Sequence, residues 1–242
     1  MSRASKGSRS VAQEPSAIAE AVRAAVADEL AQIGYRSPRA GFLDRIETFA
    51  TELALWGSKL NLTAAPDDPA EIAFHVIDSL APLILAQRDD AAALRAAFAA
   101  GMRVLDLGSG AGFPGLILAA ASEADFVLLE ARRKRASFLS VTAAEMGLTN
   151  VRVDSSRADS TALEQAFDLV TARAFAEPAM VFKTAVVALK PGACAMLYAS
   201  PSQRPAIEAA CAGGFEPPIF HEYGVARGVT HVAYVLAVAR RR

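Results

Sequence analysis

Cysteine is scarce in this sequence. Its 242 residues hold two, Cys194 and Cys211, too few for a disulfide framework and in neither a C-x-x-C pair nor a Cys/His cluster. With three histidines in the whole chain, a metal site has few nitrogen ligands to draw on, and none is expected. No stretch approaches 18 unbroken apolar residues, and Arg3, Lys6 and Arg9 have no apolar segment behind them. The expectation is therefore no membrane span, no signal peptide and a reducing, cytoplasmic setting. An excess of one charge is also missing: the formal net charge is -1, so a polyanion would have to be held by a local basic patch.

What is present is a balance of 53% apolar and 21% charged residues, which suits one main domain with an appendage. Residues 1–15 read as a flexible arm rich in Ser, Arg and Gln. Residues 16–100 read as a helical extension packed on the core, with helices at about 16–33, from Ser37 (N-cap) and Pro38 (first turn) to Trp56, at 69–86 and at 89–99. In the second, Phe42, Ile46, Phe49, Leu53 and Trp56 recur at helical spacing. From about residue 101 to 242 short apolar strands alternate with helical stretches, and two last strands, near 215–222 and 230–239, follow each other without a helix. This pattern predicts an α/β fold: a mostly parallel seven-stranded sheet with an antiparallel final hairpin, binding its ligand at the carboxyl ends of the strands.

The segment RVLDLGSGAGFPG, residues 103–115, ends the first such strand and places four glycines in eight positions. Counted from Gly110 it satisfies the dinucleotide fingerprint, with Glu130 about 20 residues on. Asp106 argues otherwise. At an effective dielectric near 20 a unit-charge pair 4 Å apart is worth about 4 kcal/mol, so a carboxylate there opposes a pyrophosphate and suits the ammonium and sulfonium of S-adenosylmethionine. Pro114 has no N–H to offer a phosphate. Read from Gly108, the loop fits a cation-bearing methyl donor, with Glu130 for its ribose hydroxyls.

The stretches NLTA, FHVIDSLAPL, VLDLGSGAGFPGLILA, FVLLEARRKRASFL, AAEMGLTNVRV, SSRAD, FDLVTARAFA and ALKPG occur in this order, and together they resemble the RsmG (GidB) family of 16S rRNA methyltransferases. The resemblance implies a class I S-adenosyl-L-methionine-dependent methyltransferase. Its implied reaction is methylation of guanine N7 in the 530 loop of 16S rRNA, at rRNA position 527, with 16S rRNA or the small ribosomal subunit as partner. The cofactor contacts it implies are Gly108 and Phe113 in the loop, Ala158 and Asp159 after the third strand, and Arg173 after the fourth, beside Asp106, Gly110, Gly112 and Glu130. A monomer is expected.

Guanine N7 carries a lone pair and no proton, so its attack on the donor methyl needs alignment rather than a general base, and no catalytic residue is assigned. The candidates for RNA contact are Arg132, Arg133, Lys134 and Arg135, at a helix start where cations oppose the macrodipole unless an anion docks, together with His75. The bland readings are a solvated basic helix end, a hydrogen-bonding cluster for His75, Asp78 and Ser79, an N-cap role for Asp159 and a solvated cation at Arg173. The sequence departs from the family pattern after the fifth strand (LYASPS) and in the last strand (HVAYVLAVARRR). Those departures leave open a relative that methylates another RNA or a small molecule, or a non-catalytic RNA-binding module.

Overall fold

Apolar residues four apart build the first helix, and they face inward. A computed structural model describes residues 14–36, 39–88, 92–157, 165–227 and 230–242. Helix α1 (Pro15–Gln32) buries Ile18, Val22, Val26 and Leu30 along one stripe. Helix α2 (Phe42–Leu60) buries Phe42, Ile46, Phe49 and Leu53. It starts later than expected, because Gly41 takes a left-handed conformation (φ 72°) at its N-cap; Ser37 and Pro38 lie outside the described residues. It also runs past Trp56, to a left-handed Asn61 at its C-cap. The stretch expected as one helix over 69–86 is two, α3 (Pro69–Ser79) and α4 (Ala81–Leu85), because Pro82 has no N–H to give the carbonyl of Asp78. The Asp68 side chain caps α3, accepting the N–H groups of Ala70 and Glu71. Helix α5 (Ala92–Ala96) ends three residues before the 99 expected, and residues 89–91 of that expectation lie outside the described residues.

The alternating part follows: β1 (Arg103–Leu107), α6 (Gly115–Ala121), β2 (Asp125–Leu129), α7 (Arg133–Glu145), β3 (Val151–Asp154), β4 (Phe167–Arg173), α8 (Pro178–Ala188), β5 (Leu189–Ala199), α9 (Arg204–Cys211), β6 (Ile219–Arg227) and β7 (Thr230–Arg240). The sheet order is β3-β2-β1-β4-β5-β7-β6. Strands β1 to β5 are parallel, and β7 runs antiparallel between β5 and β6. Strand β6 begins four positions later than the sequence pattern suggested, since Pro217 and Pro218 cannot donate to a ladder. Because β1 lies between β2 and β4, the order reverses there, and the crevice of the sheet opens beyond its carboxyl end.

Strand alternation sorts residues to two faces. Leu105 and Leu107 pack with Val181, Phe182 and Ile207. Val104 and Leu169 face a second core that includes Val22, Phe49 and Ile72 of the N-terminal helices. Asp106, Thr171 and Arg173 share the parity of that second face, so they point toward the helical layer. Arg39 ties the layers further, donating to the carbonyl of Ala119 (2.7 Å) and to Asn150 Oδ1 (3.0 Å).

Phe49 is fully buried, and its ring meets Phe113 edge-on at 5.1 Å, so one core holds helical layer and sheet together. Phe49→Ala is expected to cost about 3–5 kcal/mol. In urea the transitions of Trp56 fluorescence, on α2, and of far-UV circular dichroism should shift together; separate midpoints would show that the two layers unfold independently.

Candidate active site

Four strand ends converge on the crevice: β1 leads into Gly108, β2 into Glu130, β4 into Ala174 and β5 into Ser200. Gly108, Gly110 and Gly112 all have positive φ (69°, 56° and 94°), which a side chain would strain. Crowding adds to this at Gly108, where a Cβ would come within 2.4 Å of the Phe175 ring. The loop's own amides are largely spoken for. Gly108 and Ser109 donate to the carbonyl of Leu129 at 2.8 and 3.2 Å, and Gly112 donates to Ser109 at 2.7 Å. Gly110 donates to Glu130 Oε2 at 3.1 Å. These four N–H groups are thus not a cradle for a pyrophosphate, and this internal bonding carries the case that sequence reasoning rested on Asp106.

Asp106 lies beneath the loop, with no exposed surface. Its Oδ1 accepts the Thr171 hydroxyl at 2.9 Å, while Oδ2 faces Gly115, where a Cβ would stand 2.5 Å from it. Burial pushes its carboxyl up to about 6, against the pull of Ser109, Thr171, the Gly115 amide and Arg173. Asp106 therefore acts on the loop and the start of α6 from below and forms none of the wall of either cavity described here. Glu130, at the end of β2, is also buried. Its second oxygen, Oε1, accepts the N–H of Arg132 at 2.8 Å, which fixes the carboxylate with lone pairs to spare for a ligand's hydroxyls.

A cavity of about 300 Å³ beside the loop is lined by Gly108, Glu130, Arg132, Arg135, Ala174 and Phe175, among others. The basic run divides here. Arg132 and Arg135 line this cavity, and Arg135 also donates to the carbonyl of Asn61 at 2.7 Å; Arg133 and Lys134 are exposed at the start of α7. Ala158 and Asp159 lie outside the described residues.

Arg173 ends β4 and is mostly buried. Its Nη1 donates to Asp78 Oδ2 at 2.6 Å, and its guanidinium lies over the Phe113 ring, 5.1 Å from the centroid. The other oxygen of Asp78 accepts the Tyr223 hydroxyl at 2.8 Å. His75 Nδ1 stands 3.5 Å from Arg173 Nη2, and burial, with Arg173 beside it, lowers the imidazole to about 4. His75 is thus neutral near pH 7, and it packs on Phe113 at 5.2 Å between ring centroids. Tyr198, on β5, donates to the carbonyl of Ser79 at 2.7 Å. Sequence reasoning grouped His75, Asp78 and Ser79 as a hydrogen-bonding cluster, as the bonds from Arg173, Tyr223 and Tyr198 show, but it did not pair Asp78 with Arg173 and missed Tyr223 and Tyr234 altogether, because the contacts of Asp78 join residues 95 to 145 positions apart.

A second cavity, of about 440 Å³, lies on this side, lined by His75, Asp78, Arg173, Ala174, Tyr198 and Tyr234 among others. Ala174, left-handed at φ 52°, belongs to the walls of both cavities. A larger cavity of about 790 Å³ is lined by residues of α1, α2 and the turn between them and includes no strand end. Among the described residues no group of three His, Cys, Asp or Glu could hold a metal, and no helix is long and apolar enough to cross a membrane.

The sequence pattern of a family described as rRNA small subunit methyltransferase G (GidB) matches residues 43–212. A ribosomal RNA small subunit methyltransferase G from Wolinella succinogenes is 36% identical over 157 residues, 64% of this chain and 74% of that one. One from Sorangium cellulosum is 37% identical over 176 residues, 71% of this chain and 69% of that one. Among solved structures, a tRNA methyltransferase from Aquifex aeolicus superposes with a TM-score of 0.50 at 18% identity, over 62% of this chain and 66% of that chain. The sheet order, with its antiparallel last hairpin, is that of the class I methyltransferase fold, as the alternating pattern and the resemblance led us to expect.

The Asp106 carboxyl offers a pH test. Its ordinary value is 3.8 and its value in the fold about 6, so the stability that its proton confers is present below the first and lost as pH rises through the second. Measured by urea unfolding between about pH 4 and about pH 7, the stability of Asp106→Asn relative to the parent should rise by about 2–3 kcal/mol. A flat difference would mean that Asp106 is ionised throughout.

Proposed function

The chain belongs to the rRNA small subunit methyltransferase G family, and from that premise we propose that it moves a methyl group from S-adenosyl-L-methionine to small-subunit ribosomal RNA. The observation that carries the reading is the pair of cavities at the carboxyl edge of the sheet, which share Ala174 as a wall residue. Such an arrangement suits a reaction in which two ligands meet head-on. The cavity beside the glycine loop takes the donor: Gly108 and Gly110 let it approach the backbone, and Glu130 accepts hydroxyl groups. Ala158 and Asp159 are proposed contacts on the resemblance alone. When bound, the donor supplies a methyl carbon on a sulfonium.

Within the same reading the acceptor is guanine N7 in the 530 loop of 16S rRNA. A ring nitrogen with a free lone pair attacks without losing a proton, which accords with a site whose histidine is neutral and whose acids, Asp78, Asp106 and Glu130, are each engaged by protein donors. Alignment of the two ligands then supplies the rate, on the order of 7–11 kcal/mol. Arg133 and Lys134, exposed at the start of α7, are the proposed contacts for RNA phosphates. Ribosomal RNA as substrate suits a cytoplasmic enzyme, and we propose that it works as a monomer without a metal.

The test uses methyl-labelled donor with small subunits and with naked 16S rRNA from a strain lacking this gene. Label at N7 of the 530-loop guanine is expected; label elsewhere overturns that acceptor, and no transfer to RNA overturns the reading. Arg133→Glu with Lys134→Glu should reduce the salt dependence of RNA binding by about 1.5–2 in log-log slope. Donor affinity, measured by calorimetry, should not change in that variant; a parallel loss would refute the separation of the two surfaces.

A further inference from the structure

Residues 213–242 fall outside the stretch that matches the family, 43–212, yet they complete the second cavity. Tyr234, on β7, lines it together with Phe74, Arg173, Ser200 and Gln203. The Tyr234 ring stacks on Tyr223, with centroids 5.7 Å apart and planes at 28°, and Phe74 leans against it at 6.3 Å and 48°. Tyr223 is itself pinned by its hydroxyl to Asp78, whose other oxygen holds Arg173. The last hairpin is thereby locked in register with the charged pair that lines this cavity.

From this we infer that the cavity is an acceptor subsite for one unstacked nucleobase of the RNA substrate, with Tyr234 as the wall on which the base stacks. The inference rests on the methyl-transfer reading for its biological sense. Four features converge on it. The cavity, about 440 Å³, falls in the size range of small-ligand pockets. Its aromatic wall offers the flat surface that proteins use for bases extruded from RNA. Gln203 Oε1 is committed to the Ser200 N–H at 3.0 Å and to the Ser200 hydroxyl at 3.3 Å, which leaves the amide nitrogen as the donor for a base edge. Ala174, common to the walls of both cavities, puts a base held here beside the proposed donor cavity. Methyl transfer to a ring nitrogen leaves the base positively charged, as the new N–C bond forms and the S–C electron pair returns to sulfur. The π face of Tyr234 favours that cation more than it favours the neutral base.

The chain has four tyrosines, so ring resonances of the ¹³C-tyrosine-labelled protein can be assigned by single Tyr→Phe changes. Titration with guanosine monophosphate should shift the Tyr234 signals saturably upfield and leave Tyr35, in the α1–α2 turn, in place. Unmoved Tyr234 signals, or the same shift with ribose 5-phosphate, would overturn the subsite. In methyl transfer to small subunits, Tyr234→Leu should lower kcat/KM at least about ten-fold, the scale of one stacked base, with donor affinity within two-fold of the parent. Tyr234→Phe, which keeps the face, should recover most of the loss. An unchanged kcat/KM in Tyr234→Leu, or an equal loss of donor binding, would refute the assignment. A parent protein that shows the nucleotide shift and yet methylates no RNA would overturn the proposed reaction while sustaining the base-binding site.

Discussion

The ion pair between Asp78 and Arg173 is the contact around which the crevice is organised. It joins α3 of the helical layer to the end of β4 at 2.6 Å, with side chains 6% and 17% exposed. Two charges withdrawn from water to this degree cost several kcal/mol each unless their remaining hydrogen-bonding capacity is filled. Here it is: Tyr223 donates to the free carboxylate oxygen, and the guanidinium rests on the Phe113 ring. Removal of either partner would leave a buried charge alone, so the pair fixes the relative position of helical layer, glycine loop and last hairpin. The next residue, Ala174, belongs to the walls of both cavities.

The glycine loop answers to a related constraint. Its turn needs positive φ at three positions, and it is stabilised by turning its amides inward, on Leu129, Ser109 and Glu130. A loop bound up in this way has little left for a phosphate, whatever its spacing of glycines suggests. Asp106 belongs to the same economy of buried groups, since it holds Thr171 and abuts Gly115 rather than facing a ligand.

Where the physics was local, the sequence was readable. The stripe Phe42, Ile46, Phe49 and Leu53, the strand VLDL and the two consecutive final strands all specify their own burial, and helical layer, parallel sheet and hairpin follow from them. Boundaries were less accessible. Gly41 and Pro82 changed the extent of α2 and split the following helix, because a cap geometry and a missing N–H act on single residues inside an otherwise continuous pattern. The site was legible only in part. Spacing identified Gly108 and Glu130, but the direction in which Asp106 points depends on strand parity and on what packs against that face. The run Arg132 to Arg135 read as one patch until the turn at the start of α7 divided it between cavity and solvent. Tyr223 and Tyr234 carried no local signal at all, since their meaning comes from Asp78, about 145 positions before the first of them.

These observations change the place of the helical layer in the chemistry. On the proposed reading the reaction needs no proton transfer, which gives the protein one main task, to hold two ligands in line, and errors of position translate directly into rate. The proposed donor side of the crevice is built mainly from strand ends of the sheet. On the proposed acceptor side Phe74, His75 and Asp78 come from α3, Arg173 and Tyr198 from the sheet, and Tyr234 from the final hairpin. Positional accuracy at the junction therefore depends on the core that Phe49 and Phe113 share and on the bond between Asp78 and Tyr223. On that reading α3 is a wall of the proposed acceptor site, and the packing energy of the helical layer that holds it is part of what aligns the ligands.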